Sequence, residues 1–109
     1  MVKYIALWVI KPGLDPEKTW SRWREEHVEW VKKRLHPELK RYVQNRIIEE
    51  LPGSKVDWFG ITELYFDDVE SARRAIEKMI TPPLDQFMVD CAIPAKVRRV
   101  FAEEIEVEL

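Results

Sequence analysis

From Val2 to Lys11 the chain reads as a β-strand that is apolar on both of its faces: Tyr4, Ala6, Trp8 and Ile10 alternate with Ile5, Leu7 and Val9. Half-buried strands alternate apolar and polar residues, so a strand without a polar face needs cover on two sides. The segment from Val56 to Phe66 has the same character, interrupted by Asp57, Thr62 and Glu63. Helices of the same chain can cover one side of a sheet built from such strands. The other side has to be covered by something else, and that requirement limits the folds open to the chain.

The remaining elements follow in a simple order. Pro12-Gly13 turns the chain, and Asp15-Pro16 supplies an N-cap and a first helical residue. The helix expected over Pro16 to Leu35 has one apolar arc at 100° per residue, made of Trp20, Trp23, His27, Val28, Trp30, Val31 and Leu35, with Arg24 and Arg34 among them. Lys18, Thr19, Glu25, Glu26, Lys32 and Lys33 fall on the opposite arc. A second strand is predicted over Lys40 to Glu49, a turn at Leu51-Pro52-Gly53-Ser54, and the third strand over Val56 to Phe66. Asp67 or Asp68 caps a helix from Val69 to Ile80, and Thr81-Pro82-Pro83 breaks it. A short helical piece through Asp90 and a last strand over Lys96 to Ala102 complete the chain, before an alternating tail from Glu103 to Leu109 suited to an edge or exchanged strand.

This order is βαββαβ over one domain, residues 1–109. It is the α+β, ferredoxin-like pattern, a four-stranded antiparallel sheet with both helices on one face. The bare face carries Ile5, Leu7 and Val9 or their alternates, a larger apolar patch than monomers expose. A twofold homodimer with sheet against sheet covers it.

Composition excludes several roles. With 18 basic and 20 acidic residues among 109, the chain has no basic footprint for nucleic acid or an anionic membrane surface. No apolar run is long enough to span a bilayer, and the first ten residues lack a cleavage site. Cys91 is the single cysteine, so no internal disulfide is available and a cytoplasmic setting is expected. His27 and His36 are too far apart on a helix to share a metal, and neither a phosphate loop, a nucleophile elbow nor an HExxH motif is present.

His27 is the leading candidate for chemistry, because it lies at the centre of a tryptophan-rich arc and points at the sheet. Desolvation disfavours a charged imidazole, and a neutral ring can accept or give a proton near neutral pH. That suits general acid–base catalysis in a dry pocket; the plainer role is structural, with both ring nitrogens bonded to neighbours. Trp20, Trp23 and Trp30, with Trp8, Tyr42, Trp58 and Tyr65 on the sheet, form a crowded layer that either packs solidly or surrounds a cavity for a flat apolar molecule. Gln44 and Glu63 break the apolar pattern of their strands and join the candidate pocket residues.

Taken together, Lys11-Pro12-Gly13-Leu14, Trp23-Arg24-Glu25-Glu26-His27, the second-strand run Leu39 to Asn45, Gly60 to Asp67, and Val100-Phe101 with Glu103-Glu104 resemble the EthD family of the dimeric α/β-barrel superfamily. The resemblance covers nearly the whole length in the same order. It implies a helix histidine at His27 and a strand tyrosine at Tyr42, lining a pocket inside each protomer. It also implies cofactor-free chemistry such as lactone isomerisation, or cyclisation, dehydration or decarboxylation of aromatic polyketides. In one respect the chain departs from the family, which often has Asp before the glycine of the third strand: Phe59 stands there, and Asp57 sits one pleat back.

The function expected is therefore a cofactor-independent enzyme with His27 as general acid or base and Tyr42 bonding a substrate carbonyl or enolate, acting on a small apolar or aromatic molecule. Trp8, Trp23, Trp30, Gln44, Glu63 and Tyr65 are the expected substrate contacts. The alternatives are a cofactor-free oxygenase and a non-catalytic ligand-binding protein. Haem held by one helix histidine stays behind both.

Overall fold

The computed structural model describes residues 1–109. Strand β1 (Val2–Trp8) leads into α1 (Pro16–Arg22), a π-helical segment (Trp23–His27) and α2 (Val28–Arg34), which run on as one helix. Strands β2 (Arg41–Arg46) and β3 (Gly60–Phe66) follow, then α3 (Val69–Ile80), the short α4 (Gln86–Cys91), a single 3₁₀ turn (Pro94–Lys96) and β4 (Arg98–Glu103). The strands form one sheet in the order β2-β3-β1-β4, with every neighbouring pair antiparallel. This is the βαββαβ, ferredoxin-like α+β architecture that the pattern of elements predicts.

Local chemistry accounts for the helix starts. The Asp15 carboxylate accepts from the amides of Glu17 (2.9 Å) and Lys18 (3.4 Å), with Pro16 in the first helical position. Asp68 caps α3 through the Ser71 amide at 2.7 Å. Arg34, a charged residue on an apolar arc, has its own explanation. Its Nε donates to the Lys78 carbonyl (2.9 Å) and its Nη2 to that of Thr81, closing the C-terminal end of α3.

On β1, Tyr4, Ala6 and Trp8 face the helices, and Lys3, Ile5 and Leu7 face away. The core has two centres. One gathers Tyr4, Ala6, Val31, Leu35, Leu64, Phe66, Ala72 and Ala75; the other gathers Trp8, Trp23, Phe87, Cys91 and Ala92. The side turned away from the helices carries Ile5, Leu7, Val43, Ile61, Val100 and Ala102, and also a polar network. Lys3 Nζ reaches Glu63 (2.7 Å) and Glu104 (3.3 Å), the Tyr65 hydroxyl donates to Glu104 (3.0 Å), and Asn45 donates to Glu63 (3.0 Å).

Several boundaries differ from the sequence expectation. Strand β1 ends at Trp8, and Ile10 makes only an isolated bridge to Ala92. Strand β2 stops at Arg46 and β3 starts at Gly60, so Ile48 is exposed and Asp57 lies on an exposed loop rather than on a strand face. The tail beyond Glu103 has no strand partner, leaving Ile105, Val107 and Leu109 exposed.

The long helix also departs from a regular wheel. Its buried residues are Thr19, Trp23, His27, Val31 and Leu35, one every fourth position, while Trp20 and Trp30 are only half-buried. A regular α-helix turns in 3.6 residues and would drift off such a stripe. The wider i→i+5 turn of the π segment takes up the difference. Thr19, expected on the solvent arc, is buried for this reason, with its hydroxyl donating to the Asp15 carbonyl at 2.9 Å.

Candidate active site

Across the sheet beneath the helices, facing residues line up in rungs. One rung runs Tyr42, Leu64, Tyr4, Phe101, and the next runs Gln44, Thr62, Ala6, Arg99. The second is low in its middle, because Thr62 and Ala6 are small. Above it the two core centres fail to close, leaving a cavity of about 400 Å³. That size is in the range of small-molecule sites. Its floor is Tyr4, Ala6, Trp8 and Thr62; His27 and Trp30 come from the long helix, and Met79, Ile80, Leu84, Asp85, Met88 and Val89 from α3, α4 and their connection. Ala92, Pro94, Val97 and Arg99 complete it. The floor is buried, whereas Ile80, Leu84, Val89 and Arg99 at the rim are exposed.

His27 is 4% exposed and lies at the C-terminal end of the π segment. Its Nδ1 is hydrogen-bonded to Oδ2 of Asp85, which is itself 9% exposed. The other Asp85 oxygen accepts from the Phe87 amide at 3.2 Å, so one carboxylate both caps α4 and holds the imidazole. An acceptor at Nδ1 keeps a proton on that nitrogen and leaves Nε2 free to act as a base. No protein group bonds Nε2. The ring is further held by Phe87 (centroids 5.8 Å apart, tilted) and by Tyr42 (6.2 Å, edge-on).

Tyr42 is beside His27 but outside the cavity lining. Its hydroxyl accepts from Gln44 Nε2 at 3.1 Å, and the same amide donates to the carbonyl of Trp23, the first residue of the π segment, at 3.1 Å. Burial pushes the Tyr42 phenol well above its ordinary range, so it stays protonated.

Of the expected substrate contacts, Trp8 and Trp30 line the cavity and the others do not. Trp23 is completely buried below it, edge-on to Trp8 and Trp20 and tilted against Phe59, because Gly60 leaves room for its ring against the sheet. Gln44 is committed to Tyr42 and Trp23. Glu63 and Tyr65 lie on the opposite face of the sheet, in the Lys3 network, as their position in the strand alternation requires. Phe59 packs on Trp8 at 4.8 Å. The carboxylate that meets His27 comes instead from Asp85, a residue that sequence reasoning does not single out. The one signal for Asp85 in the sequence is its place after Pro82-Pro83 and before the short helix, the position of an N-cap. No three His, Cys, Asp or Glu side chains gather as a metal-ligand set, and no helix is long and apolar enough to cross a membrane.

Comparisons with known proteins give the same architecture. A sequence model of the EthD domain matches residues 11–81. Among solved structures, an EthD family protein of Bacillus halodurans is 25% identical with a TM-score of 0.68, the match covering 96% of this chain and 99% of that one. A dimeric protein with a ferredoxin-like fold from Bacteroides fragilis is 14% identical with a TM-score of 0.63, over 94% and 95% of the two chains. The cofactor-independent oxygenase SnoaB of Streptomyces nogalater is 11% identical with a TM-score of 0.63, over 97% and 94%. No protein of curated function matches in sequence.

Proposed function

The chain belongs to the EthD family, and on that footing we propose that it is a small-molecule enzyme in which His27 moves a proton without a cofactor. The observation that carries this reading is the pair His27–Asp85, with Nδ1 tied to a carboxylate and Nε2 left free in a residue that lines a mostly apolar cavity. The reactions that fit are isomerisation, cyclisation, dehydration or lyase chemistry on an aromatic, polyketide-like or lactone substrate. In each, a base removes a proton from carbon or oxygen beside a carbonyl. Trp8 and Trp30 contact the substrate's flat body, while Tyr42, behind the cavity wall, packs edge-on against the imidazole and helps hold its orientation. Asp85 orients the ring and stabilises it when it becomes protonated, a role that general acid–base catalysis makes worth about 10²–10⁴-fold together with the histidine.

Generic carbon acids suffice for the test, whatever the natural substrate is. Cyclic 1,3-diketones and enol lactones lose deuterium or gain it from solvent when a base acts on them, and NMR follows the exchange. The wild-type protein should accelerate exchange for at least one such compound, and H27A should lose the acceleration while keeping its fold. Equal rates in the two proteins would sink the proposal, and tight binding without exchange would favour a ligand-binding role instead.

A second reading is favoured by the likeness in fold to SnoaB, a cofactor-independent oxygenase. In that reading the deprotonated substrate reacts directly with O₂, and oxygen uptake without added metal or flavin distinguishes it. We further propose that the chain is a homodimer through the sheet face that carries Ile5, Leu7, Ile61 and Val100, in keeping with the dimeric Bacteroides fragilis relative. A monomeric mass in sedimentation at micromolar concentration would refute the dimer.

A further inference from the structure

One charged group in the cavity takes no part in the chemistry of His27 and Asp85. Arg99 lies on β4 opposite Ala6, at the end of the low rung that makes the floor, and it lines the cavity at its rim. Its neighbour Arg98 belongs to the alternate set and faces the other side of the sheet. Arg99 is the only lysine or arginine in the cavity lining, and, like several cations elsewhere on the surface, it meets no carboxylate. Beside it stands the Tyr4 hydroxyl, whose phenol burial raises and whose rise the Arg99 charge opposes. The rest of the rim is Ile80, Leu84 and Val89, all apolar and exposed. The lone carboxylate in the lining, Asp85, is bonded to His27.

We propose that Arg99 selects the substrate's charge, and that the cavity takes an organic acid: a flat apolar body carrying a carboxylate that Arg99 holds at the rim. A planar guanidinium offers paired N–H donors that match a carboxylate, and no carboxylate of the protein claims them. The apolar body then lies over Ala6 and Thr62 toward Trp8 and His27. An amide or ester of the same body has the same shape and lacks the charge, so it binds more weakly. This deepens the acid–base reading above and rests on it for the reaction, but not for the binding.

Isothermal titration calorimetry at pH 7.5 with 2-naphthoate and 2-naphthamide tests the assignment on the wild-type protein and on R99M, R98M and H27A. The acid should bind about tenfold more tightly than the amide to the wild type, from a charge-assisted contact at a partly solvated site. R99M should abolish the difference by weakening the acid alone, and R98M, with the same loss of net charge, should leave it intact. Equal affinities for acid and amide in the wild type, or an acid preference that survives R99M, would overturn the proposal, as would failure of both probes to bind. The preference should persist in H27A. If it does while H27A also keeps full proton-exchange activity, the base reading has failed and the charge-selection reading stands.

Discussion

A Cβ added at Gly60 would sit 2.5 Å from Cη2 and 2.7 Å from Cζ3 of Trp23, and 3.0 Å from Nε1 of Trp8. Carbon atoms in contact stay about 3.5–4.0 Å apart, so G60A asks the indole to retreat by roughly 1 Å. Trp23 has nowhere to go. It has no exposed surface, Trp8 and Trp20 lie edge-on to it at centroid distances of 5.3 and 5.1 Å, and Phe59 closes a third side. Overpacking of this kind costs about 1–3 kcal/mol, and the rigidity of the surroundings places G60A toward the upper end. For a chain near 100 residues each kcal/mol lowers Tm by roughly 4–5 °C, so the expected fall is about 10 °C. Thermal melts by circular dichroism, repeated at two protein concentrations to separate dissociation from unfolding, measure it. G53A is the control: its φ of +95° has no side chain nearby, so only backbone strain of about 1–2 kcal/mol applies and the near-ultraviolet tryptophan signal should not change. The displaced indole lies one π turn before His27, so G60A should also slow proton exchange. A Tm loss below about 2 °C with an unchanged near-ultraviolet spectrum would refute the claim that this glycine seats Trp23.

Two further outcomes follow from the site and the open sheet face. Asn retains an N-cap oxygen for the Phe87 amide but not the charge, so D85N should keep α4 folded while moving the His27 proton off Nδ1 and lowering exchange activity about 10²-fold or more; ¹⁵N shifts of the imidazole that match the wild type would argue against it. Lys3 first, and then Asn45, hold the Glu63 carboxyl below its ordinary range, and the Tyr65 hydroxyl and Lys3 do the same for Glu104. A carboxyl whose folded value is depressed stabilises the protein above its unfolded value, near 4.3, and that contribution is lost as pH falls through the folded value. Urea midpoints should therefore drop on going from pH 5 toward pH 3, and E63Q should flatten that slope; an equally steep acid limb in E63Q would count against the network.

The two alternating sets of β1 are legible from alternation, though not which of them faces the helices, and α3 is legible from Asp68 and its 3.6-residue period. His27 can be placed because a histidine at the centre of an apolar arc has only one direction to point. Periodicity gives no warning of the π segment, since a wheel assumes one turn size throughout, and it puts Thr19 on the wrong side for that reason. Asp85 is legible as a helix cap but not as the partner of His27, because the contact joins residues 58 apart in sequence. The sides taken by Glu63 and Tyr65 depend on strand parity, which no single apolar-on-both-faces strand can reveal.

The π segment also sets how this helix can change length. Its i→i+5 turn holds one residue more than an α turn, with regular helix on either side. Deleting a single residue between Trp23 and His27 would let the whole stretch wind as plain α-helix, with every backbone hydrogen bond kept. It would also leave α1 and α2 facing nearly as they do now, because the wide turn takes in a residue that a regular helix would spend on about 100° of rotation. Thr19, Trp23, Val31 and Leu35 would still share the face toward the sheet; with the residue kept and the stretch wound as plain α-helix, Val31 and Leu35 would swing about 100° off it. A helix shorter by one residue at this point should therefore be plain α-helix with the same buried stripe, and the wide turn marks where this one holds an additional residue without losing its face.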